Sequence, residues 1–203
     1  MKIPRLEAVP GTMLPMEEYA ADFLEIFHDV DGVIWKLERA QSFDEGTDPS
    51  WNAMREGDWR RSLELLDEAR AAIAADLPAK GELRRVRVVE TPLTAYLQWE
   101  LHLLALRMRL GERGRVLDAR EVAAIEMDGP LPELVVFPGR RMYHVQYEQG
   151  GACRGARRID DDEAVRTWGS IVSSLYDRGE DLLAYVDKRV MPLAPPRIGV
   201  PAR

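Results

Sequence analysis

The chain has 203 residues, of which 46% are hydrophobic and 31% are charged, and its formal net charge is −7. These values are typical of one globular domain that buries its own core, and the negative charge argues against direct binding of nucleic acid. The single cysteine, Cys153, excludes an internal disulfide. Because the sequence shows neither an apolar membrane span nor a signal peptide, we expect a cytoplasmic protein with no membrane partner.

The first fifty residues predict an arm, a helix, a strand and a loop. Residues 1–15 contain three prolines and a glycine, which indicates an irregular arm. Aromatic and aliphatic residues recur at helical spacing over residues 16–27. Residues 33–38 alternate with period two, as in a strand whose apolar face includes Trp35. Residues 43–52 are rich in turn-forming residues, so we expect a loop there.

A strand–helix–strand unit is predicted in the middle of the chain. It follows an amphipathic helix that begins near Gly57 and continues to Leu77. The unit consists of a strand at residues 84–89, a helix over residues 92–110 and a short strand at residues 115–117. Thr91 is the expected N-cap of its helix, with Pro92 at the first helical position. A unit of this length favours a right-handed parallel crossover.

The last third of the chain predicts an antiparallel meander and C-terminal helices. Its strands are expected at residues 134–137, 142–147 and 153–159, separated by glycine-containing turns. The sequence therefore predicts an α/β fold, with α+β as the alternative: one mixed-sheet domain with N- and C-terminal helices. Its expected organisation is an arm at 1–15, the domain at 16–190 and a proline-rich tail at 191–203.

Arg85 and Arg87 form the most specific feature of the sequence. They share one face of the predicted strand, which leads into the helix that Thr91 is expected to cap. Guanidinium groups and the amides of a helix N-terminus both favour phosphate or carboxylate, so the junction predicts a site for a small anionic ligand. The alternative is that both arginines pair with internal carboxylates such as Glu38 or Glu100.

Aromatic and acidic side chains near this junction complete the candidate site. Tyr96, Trp99 and Glu100 lie in the first turns of the same predicted helix, beside the arginines. The full set of predicted ligand-binding residues is Trp35, Glu38, Arg85, Arg87, Thr91, Tyr96, Trp99 and Glu100. The alternative for the aromatic members is a place in the hydrophobic core.

The sequence favours binding over catalysis. Its three histidines lack metal-ligand spacing and no serine lies in a nucleophile elbow, so we expect no metal and no cofactor. The predicted function is a non-catalytic ligand-binding or regulatory module that recognises a small anionic ligand or a regulator protein. The alternative is an enzyme or accessory protein of specialised metabolism in which Glu38, Glu100 or Tyr96 performs acid–base work. A homodimer is possible in either case.

Several stretches of the sequence resemble a known family. They are Trp35–Glu38, Arg85–Val89 with Pro92, Tyr96, Glu100 and Leu101, Gly111-Glu112, Arg115–Leu117 and Leu131–Phe137. Together they are similar, over about residues 19–176, to an uncharacterised family of actinobacterial intracellular domains, a domain of unknown function.

That family resembles phospholipase-D-like sensor domains, which implies binding and regulation rather than chemistry. The phospholipase D reaction needs a lysine two residues after a histidine, and His28, His102 and His144 all lack one. The chain also departs from the family pattern after a Leu-Pro pair, where Glu133 stands in place of the usual tryptophan or aspartate.

Overall fold

The computed structural model describes residues 5–197. A 3₁₀ turn at Leu6–Ala8 precedes the first strand. The strands are β1 (Thr12–Pro15), β2 (Val33–Glu38), β3 (Glu82–Val89), β4 (Arg113–Asp118), β5 (Leu134–Phe137), β6 (Arg141–Tyr147), β7 (Cys153–Ile159) and β8 (Glu180–Asp181). The helices are α1 (Met16–Asp29), α2 (Pro49–Arg55), α3 (Trp59–Glu68), α4 (Arg70–Ala75), α5 (Ala95–Arg109), α6 (Ala119–Val122), α7 (Asp162–Arg178) and α8 (Leu182–Arg189).

The strands form one mixed sheet in the order β1-β7-β6-β5-β2-β3-β4-β8. Strands β2, β3 and β4 are parallel, and every other pair is antiparallel. The predicted crossover is therefore β3-α5-β4, and the predicted meander is β5-β6-β7. The α/β class and the single mixed sheet are confirmed.

The two faces of the sheet bury different layers, because successive side chains of a strand point to opposite sides. One face packs against α7, through residues that include Trp35, Leu37, Val86 and Trp168. The other face packs against α1 through a second apolar cluster, which includes Ile34. Helix α5 lies on that second face beside α8. The sheet is thus covered on both sides, as its predominantly apolar inner strands require.

Helix α5 is buried around most of its circumference, as its two apolar stripes predict. One stripe, with Leu97 and Leu101, packs against α8 and β4. The other, with Trp99 and Leu106, packs against α2, α3 and α4. This double burial holds α5 in a fixed position along β3, which matters for the polar side chains that it carries toward the sheet.

Residues 5–15 of the predicted N-terminal arm are more ordered than its prolines predict, and residues 1–4 lie outside the described part of the chain. Residues 6–8 form the 3₁₀ turn, and β1 pairs antiparallel with β7, from Thr12 opposite Arg158 to Pro15 opposite Gly155. Proline is tolerated there because β1 is an edge strand, where one row of amides has no partner strand. Residues 191–197 of the predicted tail form no helix or strand, and residues 198–203 lie outside the described part of the chain.

The segment between β2 and β3 also differs from the prediction. The expected loop at 43–52 contains the start of α2, because Asp48 accepts a hydrogen bond from the Trp51 amide (2.7 Å) and Pro49 occupies the first helical position. The expected single helix to Leu77 is divided into α3 and α4 at Ala69, whose ψ of −2° departs from the α-helical value. Among residues 5–197, no helix is long and apolar enough to cross a membrane.

Candidate functional site

The two arginines of β3 are buried and paired with carboxylates. Arg85 is 4% exposed; its Nη1 lies 2.5 Å from Oε2 of Glu38, and its Nε donates to Oε1 of Glu112 (2.6 Å). Arg87 is fully buried, and its Nε donates to Oε2 of Glu100 (2.7 Å). The alternative of internal pairing, with Glu38 and Glu100 as the partners, is therefore what the structure shows.

Two further cations extend these pairs into one network. Lys36 Nζ lies 2.8 Å from Oε1 of Glu38, and Arg107 Nε donates to Oε2 of Glu112 (2.6 Å). We call the connected group the ion cluster: Lys36, Glu38, Arg85, Arg87, Glu100, Arg107 and Glu112. It contains four cations and three carboxylates, so positive charge is in excess when all seven groups are ionised.

The direction of α5 explains which groups meet. A crossover helix between parallel strands runs back along them, so the middle of α5 lies over the middle of β3. Arg87 consequently reaches Glu100 inside the helix, and Arg85 reaches Glu112 just after the helix ends. The predicted meeting of the arginines with the helix N-terminus is wrong for this geometric reason.

The N-cap prediction is wrong as well. Helix α5 begins at Ala95, and the Thr94 hydroxyl accepts a hydrogen bond from the Leu97 amide at 3.0 Å. Thr94 stands three residues before that amide, which is the spacing an N-cap requires. Thr91 is exposed and lies outside the helix, so it takes no part in an anion site at the helix start.

A cavity of about 750 Å³ lies over the ion cluster, and we call it the central pocket. It is bounded by α1, α5, the sheet and the segment after β2. Five of the seven cluster members line it: Lys36, Glu38, Arg85, Glu100 and Arg107. Aromatic side chains form much of the remaining wall: Tyr19, Phe23, Phe27, Phe43, Tyr96 and Tyr147. Its volume lies within the range of small-molecule sites in proteins.

The central pocket brings together four of the eight predicted site residues, namely Glu38, Arg85, Tyr96 and Glu100. Arg87 lies behind the wall and supports Glu100. Trp35 belongs to the α7 face of the sheet, where its ring contacts Tyr176. Trp99 is a core residue whose Nε1 donates to the Ser50 hydroxyl (2.9 Å).

Burial and neighbouring charges shift the pKa values of Glu38 and Glu100, two carboxylates of the pocket, in opposite directions. Burial raises the pKa of Glu100 above its ordinary value, and the negative charge of Glu38 adds to this effect although Arg87 opposes it. Burial acts the same way on Glu38, but the charges of Arg85 and Lys36 outweigh it and lower that pKa. Glu38 is thus held ionised, and Glu100 is the group in the cluster that takes up a proton more readily.

Tyr96 connects the pocket wall to Glu100. Its hydroxyl donates to Oε1 of Glu45 (2.6 Å) and also lies 3.2 Å from Oε1 of Glu100. Burial raises the Tyr96 pKa, and the negative charges of Glu100 and Glu45 raise it further. The phenol therefore stays protonated and acts as a hydrogen-bond donor at the edge of the ion cluster.

Three members of the ion cluster were missed by the sequence interpretation: Lys36, Arg107 and Glu112. Lys36 carried a usable signal, since it stands two residues from Glu38 on the same strand face. Glu112 and Arg107 carried none, because their place beside Arg85 depends on where α5 ends. Among the described residues, no group of three or more histidine, cysteine or acidic side chains is placed to hold a metal ion.

A protein-family model matches most of the chain. A model of the family described as "Domain of unknown function (DUF6879)" matches residues 21–187. The chain belongs to that family. All seven residues of the ion cluster lie inside the DUF6879 match, so the cluster is part of the domain itself. No curated protein matches the chain at a significant level.

Proposed function

We propose that this DUF6879 protein is a binding module for a small organic acid, which enters the central pocket. The observation that carries the proposal is that aromatic walls stand over the ion cluster, whose four cations outnumber its three carboxylates. An acid with an apolar or aromatic body matches both parts, because the rings favour apolar contact and the floor favours a negative group.

The charge balance of the floor supports an anion. Glu38 and Glu112 are each shared between two cations of the cluster. Within the cluster, Arg87 forms a salt bridge with Glu100 alone. Burial raises the pKa of Glu100 although Arg87 opposes it. A bound carboxylate supplies the charge that the cluster lacks, through charge-assisted hydrogen bonds.

Lys36 and Arg107 are the cations best placed to meet a ligand. Their side chains are 32% and 17% exposed, compared with 4% for Arg85, and both line the central pocket. Three exposed carboxylates, Asp44, Glu45 and Asp76, also lie along the lining. Water screens these exposed groups more strongly than the half-buried cations, so they weaken the attraction without cancelling it.

Isothermal titration calorimetry with matched acid and amide probes tests the proposal. The probes are benzoate, phenylacetate and indole-3-acetate, each compared with its own amide, which has the same body but no charge. We expect the acids to bind and the amides to bind at least about tenfold more weakly, as the loss of a charge-assisted hydrogen bond predicts. Equal binding of acids and amides contradicts the proposal.

Single substitutions locate the bound acid. Lys36→Gln and Arg107→Gln are each expected to weaken acid binding by about tenfold. Each leaves the fold its essential pairs, because Glu38 and Glu112 keep Arg85. The matched control is Lys188→Gln, at an exposed lysine of α8 away from the pocket. If all three variants bind the acids like the unsubstituted protein, the central pocket is not the site.

A second candidate function is acid–base catalysis on the bound acid by Glu38, Glu100 and Tyr96. The observation that favours it is that all three side chains line one cavity, in which the pKa of Glu38 is lowered and the pKa of Glu100 is raised. The test is exchange of the α-proton of bound phenylacetate in deuterated water, followed by NMR. Exchange that Glu100→Gln abolishes supports catalysis, and its absence leaves binding as the function.

Further parts of the proposal rest on the sequence. The resemblance to actinobacterial intracellular domains of the phospholipase-D-like sensor type supports a regulatory role, in which the bound acid changes the protein's contact with a regulator protein or with a second copy. The lone Cys153 is consistent with the reducing cytoplasm. Gel filtration with and without the bound acid checks the homodimer.

A further inference from the structure

A second cavity lies at the carboxyl ends of β2 and β3, and we call it the edge pocket. Its volume is about 900 Å³. It is formed by residues that follow β2 and β3, residues that precede β5, and the end of β6. The sheet continues from β2 in two directions, to the parallel strand β3 and to the antiparallel strand β5. Crevices at the carboxyl ends of parallel strands, where the strand order changes direction, are the usual ligand sites of α/β sheets.

Three residues that line the edge pocket carry buried polar atoms without a hydrogen-bond partner in the described part of the protein. They are Glu133 (Oε2), His144 (Nδ1) and Trp168 (Nε1). Trp168 is only 1% exposed. Buried polar atoms are almost always satisfied in folded proteins, so three of them around one cavity indicate a ligand with matching groups.

Glu133 is held in a fixed orientation. Its Oε1 accepts hydrogen bonds from the backbone amides of Arg39 (2.8 Å) and Ala40 (2.6 Å), the two residues that follow β2. The two amides bind Oε1, and Oε2 is the buried oxygen without a hydrogen-bond partner among the described residues. A carboxylate fixed in this way is a preorganised acceptor, since binding does not have to order its side chain.

The charges of the edge pocket favour a cation. Four carboxylates and two guanidinium groups line it: Glu7, Glu90, Asp128, Glu133, Arg5 and Arg39. Arg39 is already occupied, because it donates to Glu126 (2.6 and 3.0 Å) and to Glu90 (2.8 Å). Arg5 lies 3.6 Å from Asp128. Among the described residues, Glu133 thus has no salt-bridge partner, and the charged groups of the lining are mostly negative.

We propose that the edge pocket binds a small primary amine that also carries a hydroxyl or carbonyl oxygen. The ammonium group donates to Oε2 of Glu133, and the oxygen accepts from Nε1 of Trp168. His144 contacts either kind of group, because a neutral imidazole has one donor and one acceptor nitrogen. Its pKa is lowered by burial and by the charge of Arg157, so it is neutral at neutral pH. This pocket is distinct from the acid site, although Val145 and Tyr147 line both.

The protonation of Glu133 supplies a marker for the bound amine. Burial raises its pKa to about 7, and the charge of Glu38 adds to this although the two backbone amides and Arg87 oppose it. The other charged or titratable groups around the pocket are Arg5, Glu7, Arg39, Glu90, Asp128, His144 and Tyr147. An ammonium group beside Oε2 favours the ionised carboxylate, so binding releases a proton and becomes tighter as the pH rises through about 7.

Calorimetric titration with amino alcohols tests the site. The probes are ethanolamine, 4-amino-1-butanol and tyramine, each compared with its N-acetyl derivative, which lacks the positive charge. We expect at least one amine to bind the full chain at least about tenfold more tightly than its acetylated form. We also expect its affinity to rise between about pH 6 and about pH 8, on either side of the Glu133 pKa of about 7.

Two variants and one control assign the interaction to named atoms. Glu133→Gln is expected to weaken amine binding by at least about tenfold and to remove its pH dependence, and Trp168→Phe by about fivefold. Glu25→Gln, at an exposed carboxylate of α1, is the control and leaves binding unchanged. The proposal is overturned if no amine binds the unsubstituted protein, or if Glu133→Gln binds within about twofold of it. Binding of benzoate in the central pocket is unaffected by either result, so the two proposals fail independently.

Discussion

Replacement of Arg87 by alanine tests the account of the ion cluster at its most buried member. The guanidinium is fully buried and donates to Glu100 (2.7 Å) and to the carbonyls of Glu38 and Val88 (both 3.3 Å). The substitution leaves Glu100 buried near Glu38 with no cation bonded to it, and removes the packing of the long side chain. Removal of one partner of a buried pair costs about 3–5 kcal/mol, a large part of the roughly 5–15 kcal/mol that stabilises a typical domain.

Urea denaturation followed by tryptophan fluorescence measures this loss. With a slope of about 2–3 kcal/mol per M of urea for a chain of this size, the expected shift of the midpoint is about 1–2.5 M. The matched control is Arg84→Ala, three residues earlier in β3, which points to the opposite face. Arg84 is 34% exposed, pairs with Glu82 and lies over the rings of Trp35 (5.5 Å) and Tyr176 (5.7 Å). Its removal is expected to cost about 1–2 kcal/mol, less than the loss of a buried pair.

A double variant tests whether the unpaired Glu100 causes the loss of stability in Arg87→Ala. In Arg87→Met with Glu100→Leu no charge remains unpaired, so we expect most of the stability to return. If Arg87→Ala and Arg84→Ala shift the urea midpoint equally, the buried pair contributes no more to stability than the partly exposed one, and the reasoning is refuted. If Arg87→Ala is costly and the double variant equally so, the lost hydrogen bonds to the carbonyls of Glu38 and Val88 explain the cost rather than the unpaired Glu100.

Two further predictions concern single side chains. The pKa of Glu133 is raised from its ordinary 4.5 to about 7, so the unfolded chain loses this proton at lower pH than the folded chain, and stability falls as the pH rises through that interval. Glu133→Gln has no proton to lose in this interval. Relative to the unsubstituted protein, its free energy of unfolding should therefore increase by up to about 3 kcal/mol between about pH 4 and pH 8 in urea titrations. A difference that stays constant with pH contradicts this. Ser50→Ala should cost about 1–3 kcal/mol in thermal unfolding, because Ser50 accepts from Trp99 Nε1 (2.9 Å) and donates to the Ser62 carbonyl (2.9 Å); a variant as stable as the unsubstituted protein contradicts it.

The order and type of the main elements could be predicted from the sequence. The period-two alternation of β2, β3 and the meander, and the long apolar pattern of α5, are local signals that the fold preserves. The capping signals were less decisive, because Thr91 and Thr94 both precede a helical pattern and only the packed helix distinguishes them. Strand β1 was missed because its pairing with β7 depends on residues more than a hundred positions away.

The candidate site was predictable in part. That Arg85 and Arg87 share a face with Glu38 nearby follows from alternation in two strands. Their pairing with Glu100 and Glu112 required the path of α5 over the sheet. The edge pocket was not predictable, since Glu133, His144 and Trp168 come from three separate elements and carry no common motif.

Native mass spectrometry of the protein purified from its own cells tests the central claim most directly. We expect a bound small organic acid, released on mild denaturation, and we expect the Lys36→Gln/Arg107→Gln double variant to carry none. A bare mass in the unsubstituted protein, or the same acid on the double variant, contradicts the claim that the central pocket binds an acid through these two cations.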